Sequence, residues 1–349
     1  MKNRLLLILS LISLVSCQKD FTPDTVNEDL PACLAIEVNI GGYPCYTKAS
    51  STYEYPYEKK VNSVNYYVFN SSGMLEASFS NTSTSAVQRT LTTGTKTIYA
   101  LVNMPASRFS SCKTLSELES KCAFLSDIDD YGMPMSGKKT VTITTGANTV
   151  TINVERLLSR ITIEDIYNEL SNSLEGEDIE LGQIYLTNLI GSNTIAGGTP
   201  SSYQWYNFAG RRDDATGPED IIEYVYDCAF LYWNLYEEFC IVSWGDSDCP
   251  STPLYFFPNN TTTTDRNGWS TTKTARFTRL VVEAFIRGER YFYPINLNGA
   301  KRNTAYDLYL TITHPGSLDP DTFDWAEIQD VVINIGGFDE WDDDFVITY

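Results

Sequence analysis

Histidine is nearly missing from this 349-residue chain, with His314 its single copy. That shortage removes the side chain that most often shuttles protons near neutral pH or ligates a transition metal. A hydrolase triad or a histidine metal site would have to be built on His314, which precedes Pro315-Gly316 at a predicted strand end. No serine or cysteine sits in a nucleophile-elbow motif, and no Gly-rich phosphate loop or dinucleotide fingerprint occurs. Closely spaced Cys-x-x-Cys pairs are lacking too, which argues against structural zinc. Basic residues are scarce: 25 Lys and Arg stand against 45 Asp and Glu, a net charge of -20. Phosphate backbones and anionic membrane surfaces need clustered cations, so nucleic acid is not an expected partner. The expectation is a protein without catalytic, cofactor-binding or metal-ligating residues, and not an enzyme.

Long apolar runs are also lacking. The run from Leu5 to Val15, interrupted by Ser10 and Ser13, is too short to cross a membrane as a helix. Behind Lys2 and Arg4 it reads as a signal segment over residues 1–16. Leu14-Val15-Ser16-Cys17 looks like a lipobox, which makes Cys17 the expected acylated residue, and a polar tether begins at Gln18. Eight cysteines in an exported chain suggest oxidising surroundings. With Cys17 assigned to lipid, three local pairings are expected: Cys33 with Cys45, Cys112 with Cys122, and Cys228 with Cys240 or Cys249. Sequence alone does not fix connectivity.

What the sequence has in quantity is strand signal: short β-branched and aromatic runs punctuated by Gly, Asn, Ser and Thr. Leu34, Ile36, Val38 and Ile40 alternate with Ala35, Glu37, Asn39 and Gly41, the pattern of a half-buried strand. Residues Asn62 to Asn70 place Val64, Tyr66 and Val68 on one face before the turn Ser71-Ser72-Gly73. Thr97 to Val102 and Thr140 to Val154 continue the β pattern. One helix is expected, where Thr114 and Glu117 form a capping box before Leu115, Leu118 and Phe124. The strand-like run Val154 to Ile163 opens a second set of strands: Ile179 to Leu189, Leu254 to Phe257, Arg276 to Arg287, Arg290 to Leu297, and Ala305 to Thr313. Between Gly191 and Pro250 an irregular, aromatic-rich stretch is expected to decorate the second set. Regularly spaced short strands favour two β-sandwiches over an α/β fold.

The acidic groups Asp319, Asp321 and Asp324, and Asp342 to Asp344, are close enough in sequence for calcium but lack EF-hand spacing. Tyr203 to Tyr206 and Tyr224 to Trp244 are aromatic enough to stack sugars, though most such residues simply fill sheets. The C-terminal segments Val331 to Ile335 and Phe345 to Tyr349 read as strands on either side of Gly336-Gly337 and an acidic turn.

The lipobox, Thr47-Lys48-Ala49, Val64 to Gly73, Ile98 to Pro105 and Met135-Ser136-Gly137 resemble, in order and spacing, the fimbrillin proteins of Bacteroides and Porphyromonas relatives. Glu155 to Ile163 resembles their Arg-rich second-domain opening, and Tyr291 to Leu297 with Asn303-Thr304-Ala305-Tyr306 their late strands. The resemblance implies a type V pilus subunit. Its fold would be all-β, with two transthyretin-like β-sandwich domains in tandem and a few short helices. It also implies delivery as an outer-membrane lipoprotein precursor, removal of the first strand by a trypsin-like protease, and strand donation by a neighbouring subunit on a cell-surface fimbrium. Carried onto this chain, cleavage falls after Lys48, where relatives usually have Arg. The removable strand carries Leu34, Ile36, Val38 and Ile40, and the donor strand Phe345, Val346, Ile347 and Tyr349. The expected organisation is a signal peptide at 1–16, a propeptide at 17–48, and sandwich domains at 49–155 and 156–349. Expected partners are other copies or related fimbrial subunits, a host or bacterial surface receptor, and the outer membrane through the lipid. The alternatives are a tip or anchor subunit, or a solitary lipid-anchored carbohydrate-binding protein.

Overall fold

The computed structural model of the protein describes residues 30–42, 54–200, 205–206, 232–234, 240–248, 253–259, 277–297, 299–318, 320 and 331–334. These are mostly strand. The N-terminal half contains β1 (Pro31–Ile40), β2 (Val64–Phe69), β3 (Leu75–Asn81), β4 (Val87–Thr92) and β5 (Gly94–Val102). It continues with α1 (Leu115–Glu119), β6 (Cys122–Phe124), α2 (Asp127–Tyr131), β7 (Met135–Ile143) and β8 (Gly146–Arg156). After Leu157 and Leu158 follow β9 (Ser159–Asn168), β10 (Ile179–Thr187), β11 (Leu189–Ile190), β12 (Ser192–Thr194), β13 (Trp205–Tyr206), β14 (Tyr232–Asn234) and β15 (Ile241–Val242). Then come β16 (Pro253–Phe256), β17 (Arg279–Ile286), β18 (Glu289–Asn296), β19 (Ala305–Ile312) and β20 (Val331–Asn334).

The largest sheet has the order β3-β2-β5-β7-β8-β1-β4. Two further sheets, β14-β10-β17-β18 with β15 beside β10, and β16-β9-β19-β20, belong to the C-terminal half. A motif repeats between the halves. β1 pairs parallel with β8 and antiparallel with β4. β9 likewise pairs parallel with β19 and antiparallel with β16. In each half the first strand is therefore wedged between an antiparallel strand and a later parallel one. Most buried apolar side chains of the two halves form one contiguous cluster, and Tyr185, Val281 and Phe292 form a small second one.

Local chemistry explains the turns. Asn70 Oδ1 accepts from the backbone N–H groups of Ser72 and Met74, and Gly73 takes a positive φ, so β2 reverses into β3 where Ser71-Ser72-Gly73 predicts it. Arg287 and Gly288 both adopt left-handed backbone, the pairing a two-residue hairpin needs between β17 and β18. At α1, Thr114 Oγ1 accepts from Glu117 N at 3.2 Å while Glu117 Oε2 accepts from Thr114 N at 3.2 Å, the reciprocal cap expected from the sequence.

Several expectations are corrected. Residues 64–69 are buried on both faces, because Phe109 packs edge-on against Tyr67 and Asn65 donates to Met104 O on the second face. Thr140 to Val154 falls on two strands, with Gly146, at positive φ, opening β8 after β7, and the two strands pair only at Met135↔Arg156 and Ser136↔Glu155. Asn188, also left-handed, breaks Ile179 to Leu189 into β10 and β11. The stretch after Gly191 does more than decorate its own half, since β12 pairs antiparallel with β6 of the N-terminal half. Helix α2 has no counterpart in the sequence reading, and Arg108 holds it by a fork onto both oxygens of Asp127. Cys112 and Cys122 are free thiols. The expected Cys112–Cys122 bond is thereby corrected: Cys112 is buried in the core, while Cys122 sits on β6 with its Sγ 3.9 Å from Ser120 O. Cys33 is likewise a free thiol, and Cys45, Cys228 and Cys249 lie outside the described residues.

Candidate functional site at the first strand

β1 bridges two strands that otherwise do not meet. Its parallel ladder with β8 runs from Ala32↔Gly146 to Ile40↔Val154, and its antiparallel ladder with β4 runs from Pro31↔Thr92 to Ile36↔Val87. The alternation read from the sequence holds: Leu34 and Ile36 are completely buried, Val38 is 7 % exposed, and Ala32 completes the inward row. Ile40 is only half-buried and packs at the rim of the core, a correction to its expected equivalence with the other three. Burying Leu34, Ile36 and Val38 is worth roughly 5 to 9 kcal/mol in all. The outward face is polar and bonds to β8: Thr151 Oγ1 donates to Glu37 Oε1 at 2.5 Å, and Asn39 Nδ2 donates to Asn153 Oδ1 at 3.1 Å.

The exit from β1 is held by two side chains from the later chain. Arg156 Nη1 donates to Gly41 O at 3.2 Å, and Asn303 Nδ2 donates to Gly42 O at 3.3 Å. The same guanidinium holds the point where the described chain resumes: Nη2 contacts Glu54 Oε1 at 3.2 Å and Nε donates to Glu58 O at 3.1 Å. A methyl group on Gly42 would lie 3.4 Å from Glu54 Oε1. Gly41 and Glu54, both held by Arg156, thus lie on either side of the stretch 43–53 that includes Lys48.

The returning segment is pinned by buried charge. Glu58, fully buried, faces Arg160, whose Nη1 stands 3.2 Å from both carboxylate oxygens, and Asp307 lies 3.8 Å from Arg160 Nη2. Tyr255 donates to Glu58 Oε1 at 2.7 Å, and Tyr55 N donates to Oε2 at 2.7 Å. The Tyr57 hydroxyl meets Tyr255 at 2.9 Å. Burial, partly offset by the hydrogen bond to Tyr255, pushes the Tyr57 phenol up to about 12. Burial also holds the Asp307 carboxyl above its usual range, against the pull of Arg160. A buried carboxylate with this many donors is satisfied and rigid. The segment 54–60 is therefore anchored to β9, β16 and the end of β8, independently of β1.

Cys17, Lys48, Phe345, Val346, Ile347 and Tyr349 lie outside the described residues, as do the acidic groups at Asp319, Asp321, Asp324 and Asp342 to Asp344. Of the C-terminal segments, 331–334 form β20 at the edge beside β19. His314 sits in a half-buried turn, its carbonyl accepting from the Tyr293 hydroxyl at 2.9 Å. Trp244, within the aromatic-rich stretch, is 45 % exposed and donates to Leu170 O. Among the described residues no three His, Cys, Asp or Glu side chains gather as a metal site. The sequence reading gave no role at this site to Glu54, Glu58 or Tyr255, and it noted Arg156, Arg160 and Asn303 only within segments that resemble the family. One signal was there: Arg156 continues the inward phase of Ile152 and Val154, so its alternation points it into the core.

The fold defines a class, an all-β protein built from sheets that share one three-strand motif. Its family is specific: the model of the major fimbrial subunit protein (FimA) matches residues 35–210, just over half of the chain, and the chain belongs to that family. This is a family of structural subunits of surface fimbriae, not of enzymes. Solved structures share the fold. A fimbrilin from Porphyromonas gingivalis W83 aligns at TM-score 0.58 and 14% identity, over 86% of this chain and 96% of that one. A candidate cell adhesion protein from Bacteroides eggerthii aligns at TM-score 0.58 and 17% identity, over 88% and 95%. Another, from Parabacteroides distasonis, aligns at 0.59 and 16%, over 87% and 96%. A search of curated proteins finds no match.

Proposed function

We propose that this chain is a shaft subunit that polymerises into a surface fimbria by strand exchange and supports adhesion. In this reading two tandem sandwich domains, 49–155 and 156–349, follow a leader that carries lipid on Cys17 for delivery to the outer membrane. Proteolysis after Lys48 frees β1, and Phe345, Val346, Ile347 and Tyr349 of a neighbouring copy fill the vacancy. The observation that carries the reading is the placement of β1. It is a central strand whose loss uncovers a groove and two rows of unpaired backbone groups. Yet residues 43–53, with Lys48 among them, separate it from the segment 54–60, which is anchored without it. Its counterpart β9 has no such freedom, because only Leu157 and Leu158 separate it from β8.

The test is N-terminal sequencing of material sheared from cells, together with an unboiled denaturing gel. A start at Ala49 and a ladder of oligomers are expected. A monomer that still carries acylated Cys17 would overturn the shaft assignment.

A further inference from the structure

Vacating β1 poses a mechanical problem that the structure addresses. β4 ends the strand order and its ladder is with β1. With β1 gone, β4 and β8 would face each other as two open edges about 10 Å apart, two inter-strand spacings. Open edges pair with whatever is near, so a β4 free to swing would close on β8 and abolish the groove.

A buried cluster ties β4 elsewhere. Glu76 on β3 accepts from Thr92 N at 2.6 Å and from Thr92 Oγ1 at 2.9 Å. Lys96 on β5 donates to Thr92 Oγ1 at 2.6 Å, and its Nζ stands 2.6 Å from Glu76 Oε2. The Lys96 side chain is only 2 % exposed and that of Glu76 17 %. Lys96 occupies the inward phase shared by Gly94 and Ile98, where an apolar residue would serve packing alone. β3 and β4 stand at opposite ends of the strand order, so this cluster is a side-chain clasp joining two edges. A second contact spans the same pair, with the Arg89 guanidinium 4.5 Å over the Phe79 ring. None of these bonds involves β1. By contrast the Leu30 contacts to Thr93 would leave with the strand.

We propose that Glu76, Thr92 and Lys96 are positioning residues that hold β4 one strand-width from β8, so that the vacated groove accepts an incoming strand from a second copy. The inference rests on the strand-exchange reading above and names what keeps that site open.

Lys48 is the only Lys or Arg between residues 43 and 53, so it is the one position in that stretch where limited trypsin treatment of the full chain can cut. Cut protein is mixed with excess fluorescent peptide of residues 30–42, and capture is followed by gel filtration. Wild type is expected to exchange its strand for the peptide. The double variant Glu76→Gln with Lys96→Met is expected to capture at least tenfold more slowly, while uncut variant and uncut wild type melt within a few degrees of each other. Lys96→Arg should restore capture. Thr92→Val replaces the double variant if that one does not fold. Capture by the variant at the wild-type rate overturns the proposal, as does a loss matched by an equal loss of stability in the uncut chain. Wild type that captures no peptide removes the strand-exchange reading itself, and the clasp with it.

Discussion

Replacing Glu58 by alanine should be among the most damaging single changes in this protein. Its carboxylate is fully buried and takes bonds from Arg160, Tyr255 and the Tyr55 amide. Deleting it takes the nearest described carboxylate from the Arg160 guanidinium, which is 3 % exposed and has Asp307 at 3.8 Å. Breaking a buried ion pair by removing one partner costs about 3 to 5 kcal/mol, most of it the stranding of the other charge. The expected result is a loss of that size in urea unfolding followed by fluorescence, read from the midpoint at constant slope. Replacing both partners, Glu58→Leu with Arg160→Met, should recover more than half of the loss, because an apolar pair of similar volume has no charge to strand. A single variant that loses less than about 1 kcal/mol, or a double variant that loses the sum of both singles, would refute the account of the cluster as a mutually dependent buried pair.

Three further outcomes follow from the same geometry. Burial raises the Glu76 carboxyl, but the hydrogen bonds from Lys96 and Thr92 outweigh it and hold the group below its usual range. A depressed carboxylate contributes stability above its unfolded value, about 4.3, and loses it as pH falls through the folded one. Glu76→Gln should therefore be less stable than wild type at pH 7, and the gap should narrow below about pH 4, as thermal melts across pH will show. Gly137→Ala should destabilise by about 1 to 3 kcal/mol through overpacking: a methyl group there would fall 2.1 Å from Asn153 O, and a melt unchanged from wild type contradicts the close β7–β8 approach. Denatured without reductant, the protein should take alkylating reagent at both Cys112 and Cys122, read by peptide mass. Protection of that pair would show the disulfide that the structure lacks.

The element types were legible because they depend on local pattern. Period-2 alternation marked Leu34, Ile36 and Val38 as inward, and Thr114 with Glu117 marked α1, since a cap is closed by residues three apart. The failures were positional. A left-handed Asn188 looks in sequence like any other asparagine, and the two covered faces of 64–69 depend on Phe109 and Met104, remote along the chain. The Cys112–Cys122 pairing failed although the two are near in sequence, because the fold buries Cys112 in the core and leaves Cys122 half-buried on β6.

By itself the sequence determined an acidic, strand-rich chain with an amphipathic first strand, because charge, turn chemistry and side-chain alternation are written locally. Only the tertiary structure decided which strands flank β1. It alone brought Glu54 and Glu58 to Arg156 and Arg160, and Glu76 to Lys96 through Thr92. Those contacts span sequence separations from 4 residues, Thr92 to Lys96, through 16, Glu76 to Thr92, to 102, Glu54 to Arg156 and Glu58 to Arg160. The sheets, not the local sequence, bring such charges together, and their burial makes each dependent on the other.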